Sequence, residues 1–157
     1  MITKDEVLKA QKKWAEALIE IGKLKDKRES CISVTSEAID RLYAFDICDV
    51  LFKPTRATDV QFRNSKESAL SYFIGGNKEF PEDTGFALQP WEKVEFDNAG
   101  GILLYEKTAV AMGNYFFTES GTGAVKKVEY TFGYVKAPDG NLKINLHHSS
   151  VPFSPTL

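Results

Sequence analysis

Residues 125–150 read VKKVEYTFGYVKAPDGNLKINLHHSS. The run from Val125 to Val135 has the composition of a strand, and Pro138-Asp-Gly-Asn141 is good turn chemistry. After the turn, Leu142, Ile144 and Leu146 fall on one side of a period-2 pattern, with Lys143, Asn145 and His147 on the other. That is how a closing strand with one apolar face reads. Successive strand side chains point to opposite faces, so His147 and Ser149 are expected to share one face, and His148 and Ser150 the other. One histidine can then serve a given pocket unless a bulge intervenes.

Working back towards the N-terminus, Trp91–Phe96, Gly101–Tyr105 and Ala109–Thr118 read as further strands. Asp97-Asn-Ala-Gly-Gly101, Glu106-Lys107 and Glu119-Ser-Gly-Thr-Gly123 separate them as turns. Before Trp91 the period changes. Val7, Leu8, Trp14, Leu18, Ile21 and Leu24 recur at helical spacing, which predicts a long amphipathic helix over 4–27 with Trp14 on its buried side. The charge run Lys23–Glu29 reads as its solvated end. A second helix is expected from Thr35 to Phe45, capped by a hydroxyl, and a third over Ser65–Gly76, stopped by the glycine pair. Asp46–Phe52 reads as a short strand or extended run ended by Lys53-Pro54, which places Thr55 in a fixed bend. Thr55 there is either a ligand-facing hydroxyl or the cap of the next turn. Asn77–Pro90 is loop-like and suits a lid.

Helices followed by an antiparallel meander make an α+β fold, with N-terminal helices packed on a strongly curved antiparallel or mixed sheet. The concave side is left for a ligand, and the convex side can pair with a second subunit. With 157 residues, 43% of them hydrophobic and 27% charged, the chain reads as one domain spanning 1–157. An aromatic content of 12%, including 11 Phe, points to a core or pocket walled by rings. A net charge of -2 gives no general attraction to nucleic acid or anionic lipid. The N-terminus runs straight into a charged helix and no stretch is apolar enough to span a membrane, so a cytoplasmic location is expected, or an organelle lumen if a transit peptide has been removed.

The chemistry is bounded by scarcity. The chain has two histidines, adjacent to each other, and two widely spaced cysteines, Cys31 and Cys48, which read as buried thiols. One chain therefore cannot assemble the three-His or Cys/His set of an ordinary catalytic zinc. A carboxylate-bound Mg²⁺ or Mn²⁺ is compatible with 22 acidic residues, though no motif favours one. Residues two apart on a strand are separated by roughly 7 Å at Cα, which is long for a His147–Ser149 proton relay of the serine-hydrolase kind. Gly121-Thr-Gly123 lies in a hairpin turn and makes no nucleotide-binding signature. What remains is a pocket of hydroxyls, imidazole and aromatic rings. Thr55, Tyr72 and Ser149 can hold a small oxyanion such as a carboxylate or bicarbonate, and imidazole adds a proton acceptor near neutral pH.

Several segments taken in order carry a family likeness: Lys53-Pro-Thr55, Gln61-Phe-Arg63 with Leu70-Ser-Tyr-Phe-Ile-Gly-Gly76, Met112-Gly-Asn-Tyr-Phe-Phe117, Val128-Glu-Tyr-Thr-Phe-Gly133 and His147-His-Ser-Ser-Val-Pro152. Together they resemble the iota class of carbonic anhydrases, a family similar to the association domain of calcium/calmodulin-dependent kinase II within the NTF2-like cone. The likeness covers about residue 4 to Pro155. It implies the NTF2-like fold, reversible hydration of CO₂ to bicarbonate, and a homodimer. Some members are described as metal-free and others as associated with manganese or zinc; the poverty in histidine and cysteine favours the metal-free branch, with no cofactor. By motif the family's site falls on Thr55, Tyr72, His147 and Ser149. Tyr115, Tyr130 and Tyr134 are alternatives for the tyrosine. On this reading Thr55, Tyr72 and Ser149 orient water and bind bicarbonate, His147 polarises or relays a proton, and Phe116 or Phe132 offers CO₂ an apolar seat. Two rival readings fit the same sequence. One is a non-catalytic association or small-ligand-binding module. The other is an isomerase or dehydratase with a buried acid, for which Asp46 and Asp49 are the candidates.

Overall fold

The computed structural model describes residues 1–155; the last two residues of the expected 1–157 domain lie outside the described part. Three helices, α1 (Lys4–Lys23), α2 (Arg28–Leu42) and α3 (Lys66–Ile74), pack on a five-stranded sheet. Its strands are β1 (Leu51–Lys53), β2 (Trp91–Leu104), β3 (Thr108–Glu119), β4 (Val125–Lys136) and β5 (Leu142–Ser150), in the order β1-β5-β4-β3-β2. All neighbours are antiparallel except β1, which pairs parallel to β5. The sheet is therefore mixed.

Helix α1 starts where Thr3 and Glu6 form a reciprocal capping box, satisfying backbone N–H groups that have no partner within the helix. Val7, Gln11, Trp14, Leu18 and Ile21 recur at helical spacing and are buried. Helix α2 begins seven residues earlier than its expected cap at Thr35. Its buried stripe already includes Cys31, then Thr35, Ala38, Ile39 and Leu42. Thr35 caps nothing: its hydroxyl donates 2.7 Å back to the Cys31 carbonyl within the helix. The charge run is not simply a solvated helix end either, because Arg28 donates to the carbonyls of Ile74 (2.8 Å) and Gly75 (2.7 Å) at the end of α3. A cation at a helix C-terminus offsets carbonyls left without partners.

The expected turn at Asp97–Gly101 does not separate two strands. β2 is one bulged strand, with Asp97 opposite Asn114 and Gly101 opposite Met112. Three residues on β2 therefore face one on β3, and the strand bends there. The bulge brings the Asp97 carbonyl oxygen so close to Gly113 that a Cβ added there would lie 2.0 Å from it, which requires glycine. It also turns Asn98 inward, where its amide exchanges hydrogen bonds of 2.8 and 2.9 Å with Gln11 of α1.

Asn77–Pro90 is pinned rather than loose. Arg63, wholly buried, forms a two-pronged pair with Asp83 at 2.7 and 2.8 Å, and Ser71 donates to the same carboxylate at 2.5 Å. Glu82 accepts from the backbone N–H groups of Thr58, Asp59 and Val60, which holds its carboxyl below the usual range. The segment acts as a strap that seats Phe86 in the core. Cys31 is buried as expected, but Cys48 is exposed, since its segment turns at the surface before β1.

Candidate active site

The site is built on the end of β5, and a bulge puts it there. Gly133 pairs with Leu146 but Tyr134 pairs with Ile144, so Asn145 is an extra residue in β5. Strict alternation would set His147 on the face away from Leu142 and Ile144. The bulge resets the phase, and Leu142, Ile144, His147 and Ser149 all point towards the helices, while His148 is exposed. Leu146 takes no part in that inward row.

The imidazole of His147 is held between two rings. Phe132, its partner on β4, stacks on it at 4.1 Å between centroids, and Phe52, its partner on β1, at 4.7 Å. Burial in this sandwich, assisted by His148, pushes the imidazole down to about 3. At neutral pH the ring is uncharged. Its Nδ1 lies 2.8 Å from the Tyr43 hydroxyl, and its Nε2 lies 3.1 Å from Ser149 Oγ and 3.2 Å from the Tyr115 hydroxyl. Tyr115 and Ser149 also touch through their oxygens. The separation expected along the strand is thus closed by the side chains, which lean together on one face.

Thr55 and Tyr72 complete the pocket. Lys53-Pro54 ends β1 and delivers half-buried Thr55 beside the phenols of Tyr72 and Tyr115, whose acidity its hydroxyl favours. Tyr72, from α3, accepts at 3.2 Å from the Arg56 backbone N–H and stacks on Phe86 at 5.7 Å. Burial raises Tyr72 to about 12 and raises Tyr115 and Tyr43 further. All three phenols are neutral donors at physiological pH. Thr55, Tyr72, Tyr115, His147 and Ser149 line one cavity of about 10 Å³, walled by Trp14, Phe52 and Phe86. That is about the space of a single water. Wider clefts exist, such as one of about 370 Å³ beside Lys9, Arg41 and Asp139, but they contain none of these hydroxyls.

Four of the residues singled out from sequence, Thr55, Tyr72, His147 and Ser149, therefore meet at one place, with Phe132 against the imidazole. Phe116 does not reach it. Tyr115 and Phe117 are the buried residues of that stretch, and Phe116 between them points to the opposite face of the sheet. Tyr115 was one of the alternatives for the tyrosine and stands in the pocket alongside Tyr72. Tyr43, at the end of α2, was missed, because nothing local to Leu42-Tyr43-Ala44 signals a partner on β5. The acids proposed for a dehydratase are elsewhere: Asp46 pairs with Lys143 at 3.0 Å on the surface, and Asp49 is exposed. Among the described residues no cluster of three or more His, Cys, Asp or Glu could hold a metal ion, and no helix is long and apolar enough to cross a membrane.

The family model for metal-independent carbonic anhydrases matches residues 5–151. A metal-independent carbonic anhydrase of Nostoc sp. is 43% identical over 155 residues, covering 97% of this chain and 75% of that protein. The crystal structure of a cyanobacterial iota-carbonic anhydrase complexed with bicarbonate superposes with a TM-score of 0.92 at 42% identity, covering 98% of this chain and 94% of that one. An NTF2-like family protein of Streptomyces avermitilis, at 15% identity and a TM-score of 0.58 with 96% of both chains covered, shares the fold.

Proposed function

The chain belongs to the family of metal-independent carbonic anhydrases, and from that premise we propose that it interconverts CO₂ and bicarbonate in the pocket around His147, with Thr55, Tyr72, His147 and Ser149 as its working groups. The reaction joins CO₂ and water and releases bicarbonate and a proton. The observation that carries the assignment of the site is the convergence of Ser149, Tyr115 and His147 Nε2 within 3.2 Å of one another inside an aromatic box that Thr55 and Tyr72 close.

Each group has a task that its chemistry suits. The rings of Trp14, Phe52 and Phe86 offer an apolar seat for CO₂, which has no net dipole to satisfy, and Phe132 backs the imidazole. Thr55, Tyr72 and Ser149 hold the attacking water and the oxygens of the developing bicarbonate, and Tyr115 braces Ser149. Hydroxyls both donate and accept, so the proton lost by water passes along them towards half-exposed Thr55 and solvent. His147 is too weak a base to store that proton near neutral pH. No metal has a part in this scheme, in keeping with the family's description. Positioning and fixed donors must then supply the acceleration, and a well-aimed donor in such a site contributes about 3 kcal/mol. The test is CO₂ hydration by Ser149→Ala protein: a folded variant of near-full activity would remove Ser149 from the mechanism.

A homodimer formed through the outer face of the sheet goes with this reading. Leu103, Met112 and Val110 lie on the side away from the helices, and Leu103 and Met112 are 57% and 51% exposed. Apolar side chains gathered on a sheet face are suited to covering by a second copy. Mass measurement in solution decides it, with Met112→Glu expected to give monomer.

A further inference from the structure

The direction of one buried hydrogen-bond chain fixes what His147 can offer the pocket. Trp14 Nε1 lies 3.1 Å from the Tyr43 oxygen, and that oxygen lies 2.8 Å from His147 Nδ1. Trp14, Tyr43 and His147 are 4%, 1% and 2% exposed, so solvent does not complete their bonding. An indole N–H donates and never accepts. Tyr43 therefore accepts from Trp14, and the bond to His147 is the outlet for its own hydrogen. If Nδ1 carried a proton, Tyr43 would face two donors, and its hydroxyl hydrogen would be buried without an acceptor. Nδ1 must hold the lone pair. In a neutral imidazole the proton then sits on Nε2, the nitrogen that faces Ser149 and Tyr115 at 3.1 and 3.2 Å.

We infer that Trp14 and Tyr43 are positioning residues that lock His147 in the Nε2–H tautomer, so that the imidazole acts towards the pocket as a fixed hydrogen-bond donor and not as a base. This rests on the pocket being the site of CO₂ hydration. The consequence is directional. Ser149 Oγ accepts from His147, which frees the Ser149 hydrogen for Tyr115 or for a bound oxyanion. The hydroxyls of Thr55, Tyr72, Tyr115 and Ser149 can each rotate to donate or accept, whereas Nε2–H can only donate. It biases a pocket whose lining residues include no cation towards an anion over a neutral guest. The Tyr43 hydrogen bond to Nδ1 also draws charge from the ring and makes Nε2–H a better donor.

The tautomer is directly readable. With two histidines in the chain, a long-range ¹H–¹⁵N correlation spectrum of ¹⁵N-labelled protein contains two rings, and a His148→Gln variant, which removes the exposed one, assigns them. The wild-type His147 ring is expected to show an unprotonated Nδ1 and a protonated, slowly exchanging Nε2. Tyr43→Phe should shift the Nδ1 resonance or mix the two tautomers, and should lower kcat/KM by about 10-fold, the lower end of the effect seen for hydrogen-bond partners behind metal-bound imidazoles. Trp14→Phe, which keeps a ring but removes the N–H, is the second variant should Tyr43→Phe fail to fold, and is expected to move the Nδ1 resonance in the same direction. A wild-type ring protonated on Nδ1 would overturn the inference, as would a folded variant with unchanged ring signals and rate. Wild-type protein inactive towards CO₂ would instead contradict the functional reading, since the spectrum reports the tautomer independently of turnover.

Discussion

His147 Nε2 and Ser149 Oγ lie 3.1 Å apart on one face of β5, both fully buried, two residues from each other in the chain. Strand geometry alone separates such residues by roughly 7 Å at Cα. Their side chains close that gap because Phe132 and Phe52 clamp the imidazole from both sides and Tyr115 draws the serine towards it. A polar pair that touches only inside an aromatic box behaves differently from one in water. Its donors keep their direction, and low local dielectric strengthens them.

Removing one donor should therefore cost rate and little stability. Ser149→Ala deletes a hydroxyl from a small cavity without unpairing a charge. CO₂ hydration should fall about 100-fold or more, the effect usual for a preorganised donor. The melting temperature should move by only a few degrees. Tyr115→Phe should lose rate too, because Ser149 then lacks its brace.

The depressed imidazole makes stability depend on pH. His147 has an ordinary value of 6.5 and is held at about 3 in the folded protein. Between those values the unfolded chain binds a proton that the native state does not, so stability rises with pH across the window. The contribution is complete above about 6.5 and is lost as pH falls towards 3, with a slope approaching about 1.4 kcal/mol per pH unit inside the window. Urea unfolding at a series of pH values should show this slope in the wild type and a reduced one in His147→Gln.

The strap over the pocket is held at Asp83 by a buried ion pair and at Glu82 by backbone donors. Arg63 and Asp83 are both wholly buried and joined at 2.7 Å. Breaking such a pair by removing one partner typically costs about 3–5 kcal/mol, offset here in part by Glu82, which lies 3.6 Å from the same guanidinium. Asp83→Asn should lower the urea midpoint accordingly. It should also raise KM through displacement of Phe86 from Tyr72.

The β2 bulge is expected to be intolerant at one position. A methyl group at Gly113 would lie 2.0 Å from the Asp97 carbonyl oxygen, so Gly113→Ala must open the β2–β3 pairing. A loss of about 2 kcal/mol or more is expected, as for overpacking of a tight site. Thermal unfolding measures it.

Much of the candidate site could be read from the sequence because it is locally encoded. Lys53-Pro-Thr55 places a hydroxyl after a forced bend, and His147-His-Ser-Ser150 names its own same-face pair, whichever way that face points. The facing itself was not legible: alternation through Leu142, Ile144 and Leu146 sets His147 on the far side, and only the extra residue at Asn145 corrects it. A bulge is decided by pairing with a distant strand, so β5 alone does not reveal it. The Asp97–Gly101 turn failed for the same reason, since its glycines serve a bulge. Phe116 could have been avoided, because Tyr115 and Phe117 share parity with Ala109 and Ala111, whereas Phe116 alternates with Asn114 and Thr118. Tyr43 and Trp14 reach His147 across more than a hundred residues of chain, and no local pattern carries such a contact.

Hydroxyls and a neutral imidazole are expected to hydrate CO₂ here without a metal. Stopped-flow CO₂ hydration with a pH indicator tests it most directly, on purified protein of assayed metal content, before and after exhaustive chelation. The rate should be the same in both states and should be lost on replacing Ser149. A rate abolished by chelation and restored by one added ion would contradict the account.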